Sequence, residues 1–252
     1  MPASPGTQRR HEERLSPAAR HPGIAYTRFL RRLARRSRPR SYLEIGTWKG
    51  NSLAAFDCDA ICVDPEMKVR PEALDRDRTF IYQMTSDRYF EENDPLSVFP
   101  HGIDIAFLDG MHRFEYLLLD FMNTERCCHP QSMVLMHDCF PWAGIPTDRA
   151  EPRTPGLAWA GDVWKLVPIL AEYREDLTLH MLDCPPTGLL LIQGLKPGSR
   201  TLQREYETIV QRYEPLTLAA FGIERLWSAV EPVSTRQLFE GREAWFSYFR
   251  RF

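Results

Sequence analysis

Five short apolar runs, each ending at a turn or a polar residue, constrain this chain more than any other feature. They are Ser41–Ile45 before Gly46, Ala60–Val63 before Asp64, Thr79–Met84, Ile103–Leu108 before Asp109, and Ser132–Met136 before His137-Asp138. Segments of helical character separate several of them. Asn51 to Phe56 starts a helix, Asp87 to Glu92 gives a helical turn, and His112 to Cys127 places Phe114, Leu117, Leu118 and Phe121 on one face. Short strands alternating with helices predict a mostly parallel sheet with helices on both faces. A further helix is expected over Asp162–Tyr173, followed by strands over Leu177–Leu182 and Gly188–Ile192. Only Cys184-Pro185-Pro186-Thr187 and one flanking residue join those two strands. That is too short for a helical crossover, so the last of seven strands is expected to be antiparallel.

The chain has 252 residues, 43% of them hydrophobic, enough for one large α/β domain with appended segments. Residues 1–22 are rich in proline and charge and read as a disordered basic tail. Residues 23–40 hold an amphipathic helix, with Tyr26, Phe29, Leu30 and Leu33 on its apolar face and arginines opposite. Residues 41–196 form the α/β domain. Residues 197–252 read as a helical extension whose dense aromatics pack on the domain or form a homodimer contact.

Net charge is −2, yet residues 1–40 hold eleven arginines against two glutamates. A basic front end suits nucleic acid or an anionic surface. A solvated tail followed by a polar helix face is the commoner source of such a charge, so nucleic acid is not the expected partner. No apolar run reaches the ~20 residues that span a bilayer, and no signal-type stretch opens the chain. The six cysteines form no CxxC pair and lie in or near apolar segments, as reduced thiols of a cytoplasmic protein do.

Two constellations carry chemistry. The first is Glu44-Ile-Gly46-Thr-Trp-Lys-Gly50, with Asp64 18 residues beyond Gly46 at the end of the next strand. Glycine at a strand-to-helix turn admits close approach of a ligand to the backbone. An acid after the second strand can accept from both ribose hydroxyls of an adenosine cofactor. Thr47 and Trp48 fill the place where a dinucleotide fingerprint has its second glycine. The competing reading is an ordinary tight turn with an unrelated acid downstream.

The second constellation is Asp109-Gly110-Met111-His112 with His137-Asp138, at the carboxyl ends of two strands. Ligands of open α/β sheets bind at that edge. Two carboxylates there can hold a cation such as Mg²⁺, and a histidine can take a proton from a hydroxyl. Helix capping and hydrogen-bonded imidazoles are the structural alternatives. Residues 140–160, with four prolines and two tryptophans (Trp142 and Trp159), read either as an acceptor lid or as a surface loop.

The stretch Tyr42-Leu-Glu-Ile-Gly-Thr-Trp-Lys-Gly-Asn-Ser52 resembles motif I of class I S-adenosylmethionine (SAM) dependent methyltransferases. It is most similar to the O-methyltransferase branch with catechol-type and macrolide-sugar enzymes. Ile103–His112, Asp120 and Val134–Pro141 resemble the later motifs of that branch. The resemblance covers residues 40–195 and implies a Rossmann-like α/β fold. It implies that Glu44, Gly46 and Gly50 line the methionine and ribose part of SAM, with Thr47, Ser52 and Asp109 beside them. It further implies that Asp64 binds the ribose and Ser86 the adenine. Asp109 and Asp138 match metal-binding carboxylates, His112 the base of the sugar-modifying members. In metal-dependent members a second acid or amide stands beside the later carboxylate; here His137 and Cys139 do, and His137 is a candidate ligand for a softer metal. The expected activity is O-methylation of a small hydroxylated acceptor. A nicotinamide-dependent oxidoreductase and a non-catalytic SAM-fold module are the alternatives.

Overall fold

The computed structural model describes residues 21–142, 144–152 and 159–240, with Trp245, Tyr248, Phe249 and Phe252. Most of the basic tail expected over 1–22 lies outside the described residues.

Among the described residues, one eight-stranded sheet organises the molecule. Its strands are β1 (Ser41–Ile45), β2 (Asp59–Val63), β3 (Thr79–Tyr82), β4 (Ile103–Leu108), β5 (Cys128–His137), β6 (Thr178–Leu182), β7 (Leu189–Gln193) and β8 (Glu231–Val233). Their order is β3-β2-β1-β4-β5-β7-β6-β8. The seventh strand, β7, is antiparallel to β5 and β6 as its short connection requires. The eighth strand was not expected. It lies in the segment read as helical and pairs parallel with β6 at the edge. Proline at its middle position suits an edge strand and hides it from a propensity reading.

Alternate residues of the central strands feed two cores. Leu43, Ile61, Val63, Ala106, Leu108, Val134 and Met136 face one side. There they meet Phe114, Leu117, Leu118 and Phe121 of helix α4 (Phe114–Arg126), together with α5 (Leu166–Tyr173) and α6 (Thr201–Tyr213). Helices α2 (Ser86–Glu92) and α3 (Pro95–Val98) precede α4, and α7 (Leu218–Phe221) and α8 (Ile223–Trp227) follow α6. Tyr42, Ala60, Cys62, Ile105, Phe107, Met133 and Leu135 face the other side. The strands are buried on both faces, so they read as continuous apolar runs.

That second face is covered differently from expectation. The helix expected from Asn51 is only a 3₁₀ turn at Leu53–Ala55, because β2 begins at Asp59 and leaves no room for more. Phe29, Leu30 and Leu33 of α1 (Tyr26–Ser37) fill the space, with Leu238, Trp245 and Phe249 from the C-terminal segment. Arg36 ties these together, its guanidinium 4.9 Å from the Phe239 ring centre and donating to the Leu238 carbonyl at 3.1 Å. Among the described residues, no helix is long and apolar enough to cross a membrane.

Registers place the site. Ile45 pairs with Val63 and Leu108, and Leu108 with Met136. Gly46, Asp64, Asp109 and His137 therefore emerge side by side at one edge. The chain changes direction across the sheet between β1 and β4, where such folds bind ligands.

Candidate active site

A cavity of about 740 Å³ opens at that edge. Pockets for small ligands and cofactors run ~300–1,000 Å³.

One half is built by the β1–β2 turns. Gly46 has φ 87°, and a Cβ there would lie 2.0 Å from the Asp109 carbonyl oxygen. Only glycine lets β1 and β4 turn so close together. Trp48 is also left-handed, at φ 41°, a strained state for an aromatic residue. Its N–H donates to Asp64 Oδ2 at 2.7 Å, and the Glu66 N–H donates to Asp64 Oδ1 at 2.6 Å. Asp64 thus fixes the turn and still has acceptor capacity toward the cavity. Thr47, Ser52 and Ser86 also line the cavity, Ser86 opening α2 after a Thr85 cap.

Two residues expected on the cofactor wall lie elsewhere. Glu44 is wholly buried behind the turn, where its carboxylate accepts from the Ser52 hydroxyl. Burial pushes its pKa up to about 8, with Asp109 adding to the rise and the Ser52 hydrogen bond opposing it. Gly50 packs against Ala73 and Val69 at φ 74°. Neither lines the cavity, and Glu44 reaches it through the Ser52 hydroxyl.

The other half holds Asp109, His112, His137 and Asp138 together. His112 Nε2 lies 3.5 Å from Asp109 Oδ1 and 3.5 Å from Asp138 Oδ2. His137 Nδ1 lies 3.4 Å from Asp109 Oδ1 and 3.2 Å from Asp138 Oδ1. Asp138 adopts φ 60° and accepts from the Thr187 hydroxyl at 2.5 Å. Burial works against charge on His112, but Asp109 and Asp138 overcome it and push its pKa up to about 9. Burial would likewise raise Asp109; His137 and His112 instead hold it well below the usual carboxylate range.

Trp159, near the end of the proline-rich segment, packs against His112 with ring centres 5.3 Å apart. The Trp159 carbonyl accepts from His112 Nδ1 at 2.6 Å, which leaves Nε2 facing the carboxylates. Asp162 caps α4 through the Phe114 N–H at 2.9 Å and accepts from Arg149 at 2.7 Å. Ile145, Glu151 and Trp159 of this segment line the cavity, whereas Trp142 does not.

A resident divalent cation fits the donor set. One donor atom each from Asp109, His137 and Asp138 lies within 4.8 Å of the others. Both ring nitrogens of His137 are buried and make no hydrogen bond. An orphaned imidazole against two carboxylates is what a bound cation would satisfy. Cys139 beside them is no ligand, because its thiol turns to the His137 carbonyl.

Tyr26 and Thr187 are among the cavity residues that sequence reasoning missed. Tyr26 was read as core-facing on α1, and nothing local marks it otherwise. Thr187 arrives because β7 runs antiparallel, so the residues before it reach the carboxyl edge of β5.

Residues 43–139 match a family model described as a methyltransferase domain. No curated protein matches the chain. Among solved structures, cofactor-bound Rv0187 from MTB is 16% identical with a TM-score of 0.50, covering 78% of this chain and 99% of that one. The O-methyltransferase TomG from Streptomyces achromogenes, in complex with SAM, is 18% identical with a TM-score of 0.48, covering 68% and 80%. A putative O-methyltransferase from Klebsiella pneumoniae is 16% identical with a TM-score of 0.48, covering 78% and 92%. At this identity the Rv0187 structure speaks to fold alone, and the family model to the segment that carries Gly46, Asp64, Asp109, His112, His137 and Asp138. Residues 43–139 thus resemble a methyltransferase domain, set in a fold that the Rv0187 structure shares.

Proposed function

We propose that the chain transfers the SAM methyl group to a hydroxyl of a small acceptor, with His112 as general base. The observation that carries this reading is the placement of His112 Nε2 3.5 Å from both Asp109 and Asp138, in the same cavity as the Gly46 turn and Asp64. SAM lies along Gly46, Thr47, Ser52 and Asp64, with its adenine toward Ser86. The acceptor lies under Trp159, between the methyl group and His112.

Methyl transfer is an in-line displacement and needs chiefly positioning and a deprotonated acceptor. The acceptor hydroxyl gives its proton to Nε2 of His112 in its neutral form, which a cation on Asp109 and Asp138 would favour by offsetting the carboxylate charge that raises the His112 pKa. Its oxygen forms a bond to the methyl carbon, and the carbon–sulfur bond breaks with its electron pair passing to sulfur. S-adenosylhomocysteine (SAH) leaves neutral. The Trp159 carbonyl holds the tautomer that leaves Nε2 free. Asp109, His137 and Asp138 would hold a divalent cation, with Mg²⁺ or a softer metal as candidates. Such a cation lowers the pKa of a hydroxyl it binds. Ile145, Glu151, Trp159 and Tyr26 wall the acceptor side.

The test is transfer of tritium from methyl-labelled SAM to a panel of catechols, sugars and phenolic natural products, with and without EDTA. Label in an O-methyl product supports the reading. Transfer to nitrogen acceptors alone would contradict it. Chelator-insensitive transfer would remove the cation and leave the histidine role standing.

A further inference from the structure

Metal-bound histidines usually have their second ring nitrogen hydrogen-bonded, which fixes the ring plane. His137 has no such bond, for both its nitrogens are buried and unsatisfied. What fixes its plane is aromatic packing. The Tyr26 ring centre is 4.5 Å from the imidazole at an interplanar angle of 50°. Phe107 lies 6.1 Å away on the sheet, and its ring is parallel to Tyr26 within 3°.

The segment leading to Tyr26 is held under tight constraint. The Gly23 N–H donates to the Asp183 carbonyl at 3.0 Å, and the Ile24 N–H to Thr235 Oγ1 at 3.0 Å. Asp183 Oδ1 in turn accepts from the Thr235 N–H at 2.7 Å and hydroxyl at 2.6 Å. A Cβ on Gly23 would lie 2.1 Å from Asp183 Oδ1, so the strap has no slack. Thr235 comes from the C-terminal segment and Asp183 from the end of β6, so distant parts of the chain set the position of one phenol ring.

We infer that Tyr26, delivered by this clamped N-terminal strap, is a positioning residue that holds the His137 imidazole in the plane needed to ligate a cation with Asp109 and Asp138. The inference rests on the cation reading proposed above. It assigns to the strap and the C-terminal segment a part in the active site, through Tyr26 alone.

The test is Co²⁺ binding to the full chain, followed by calorimetry and by the visible absorption of the bound ion, with SAH affinity measured on every variant. The expected order is wild type and Tyr26→Phe alike, Tyr26→Ala and Gly23→Ala about 10- to 100-fold weaker with an altered cobalt spectrum, and His137→Ala weaker still. SAH affinity stays unchanged throughout. Should Tyr26→Ala bind Co²⁺ as wild type does while His137→Ala does not, Tyr26 has no positioning role. Loss of SAH binding in Tyr26→Ala would show a general structural role and overturn the inference equally. Failure of the wild type to bind Co²⁺ would instead remove the cation reading, and this inference with it.

Discussion

The wall under the Gly46 turn and the wall under His112 share one sheet edge, yet they are assembled from different materials. The first is local. Backbone N–H groups of Trp48 and Glu66 converge on Asp64, and Gly46 closes against the backbone of Asp109. The second is convergent. Its side chains come from α1, the β4–α4 turn, the end of β5, the lid and the turn before β7. A backbone cradle is fixed by the turn itself, whereas side chains on connecting loops can be exchanged without altering the sheet. The comparison teaches that the two halves can fail separately.

The harshest way to break the comparison is to remove the C-terminal segment. Truncation at Lys196 deletes α6, β8 and the buried Trp245 and Phe249. The exposed apolar surface should make the product aggregate or melt far below the full chain in calorimetry. A well-folded truncation product would mean that these contacts do not matter.

His112→Ala sharpens the comparison. It should lower methyl transfer ~10²–10⁴-fold if the imidazole is the base, in single-turnover assays on an acceptor found by label transfer. A change confined to KM would assign His112 to binding.

The smallest effect concerns the buried side of the Gly46 wall. The Glu44 pKa rises on folding from 4.5 to about 8. A raised carboxyl contributes stability that is full below the unfolded value and is lost as pH rises through the folded one. The melting-temperature gap between wild type and Glu44→Gln should therefore shift against the wild type from pH 5 to pH 9. A gap independent of pH would mean that Glu44 holds no proton at neutrality.

The same division explains what was legible. Gly46, Asp64 and Asp109 were readable because each follows its own strand, and parallel register brings strand ends together. The approach of Asp109, His112 and Asp138 followed from β4 and β5 being neighbours. Tyr26 was not readable, because its place depends on a clamp between Gly23, Asp183 and Thr235. Glu44 and Gly50 carry the family pattern, and the pattern does not say which side of the turn they serve. The helix expected at Asn51 failed because a few residues of suitable spacing cannot show that the chain must return to the sheet at Asp59.

Calorimetric titration of SAH into wild type, Asp64→Ala and His112→Ala, run side by side, tests the central claim that this cavity binds the methyl donor on one wall and activates the acceptor on the other. Asp64→Ala should weaken SAH by ~1.5–3 kcal/mol per charge-assisted bond lost, at least a tenfold rise in Kd. His112→Ala should bind as the wild type does. Unchanged affinity in Asp64→Ala, or equal losses in both variants, would contradict the account.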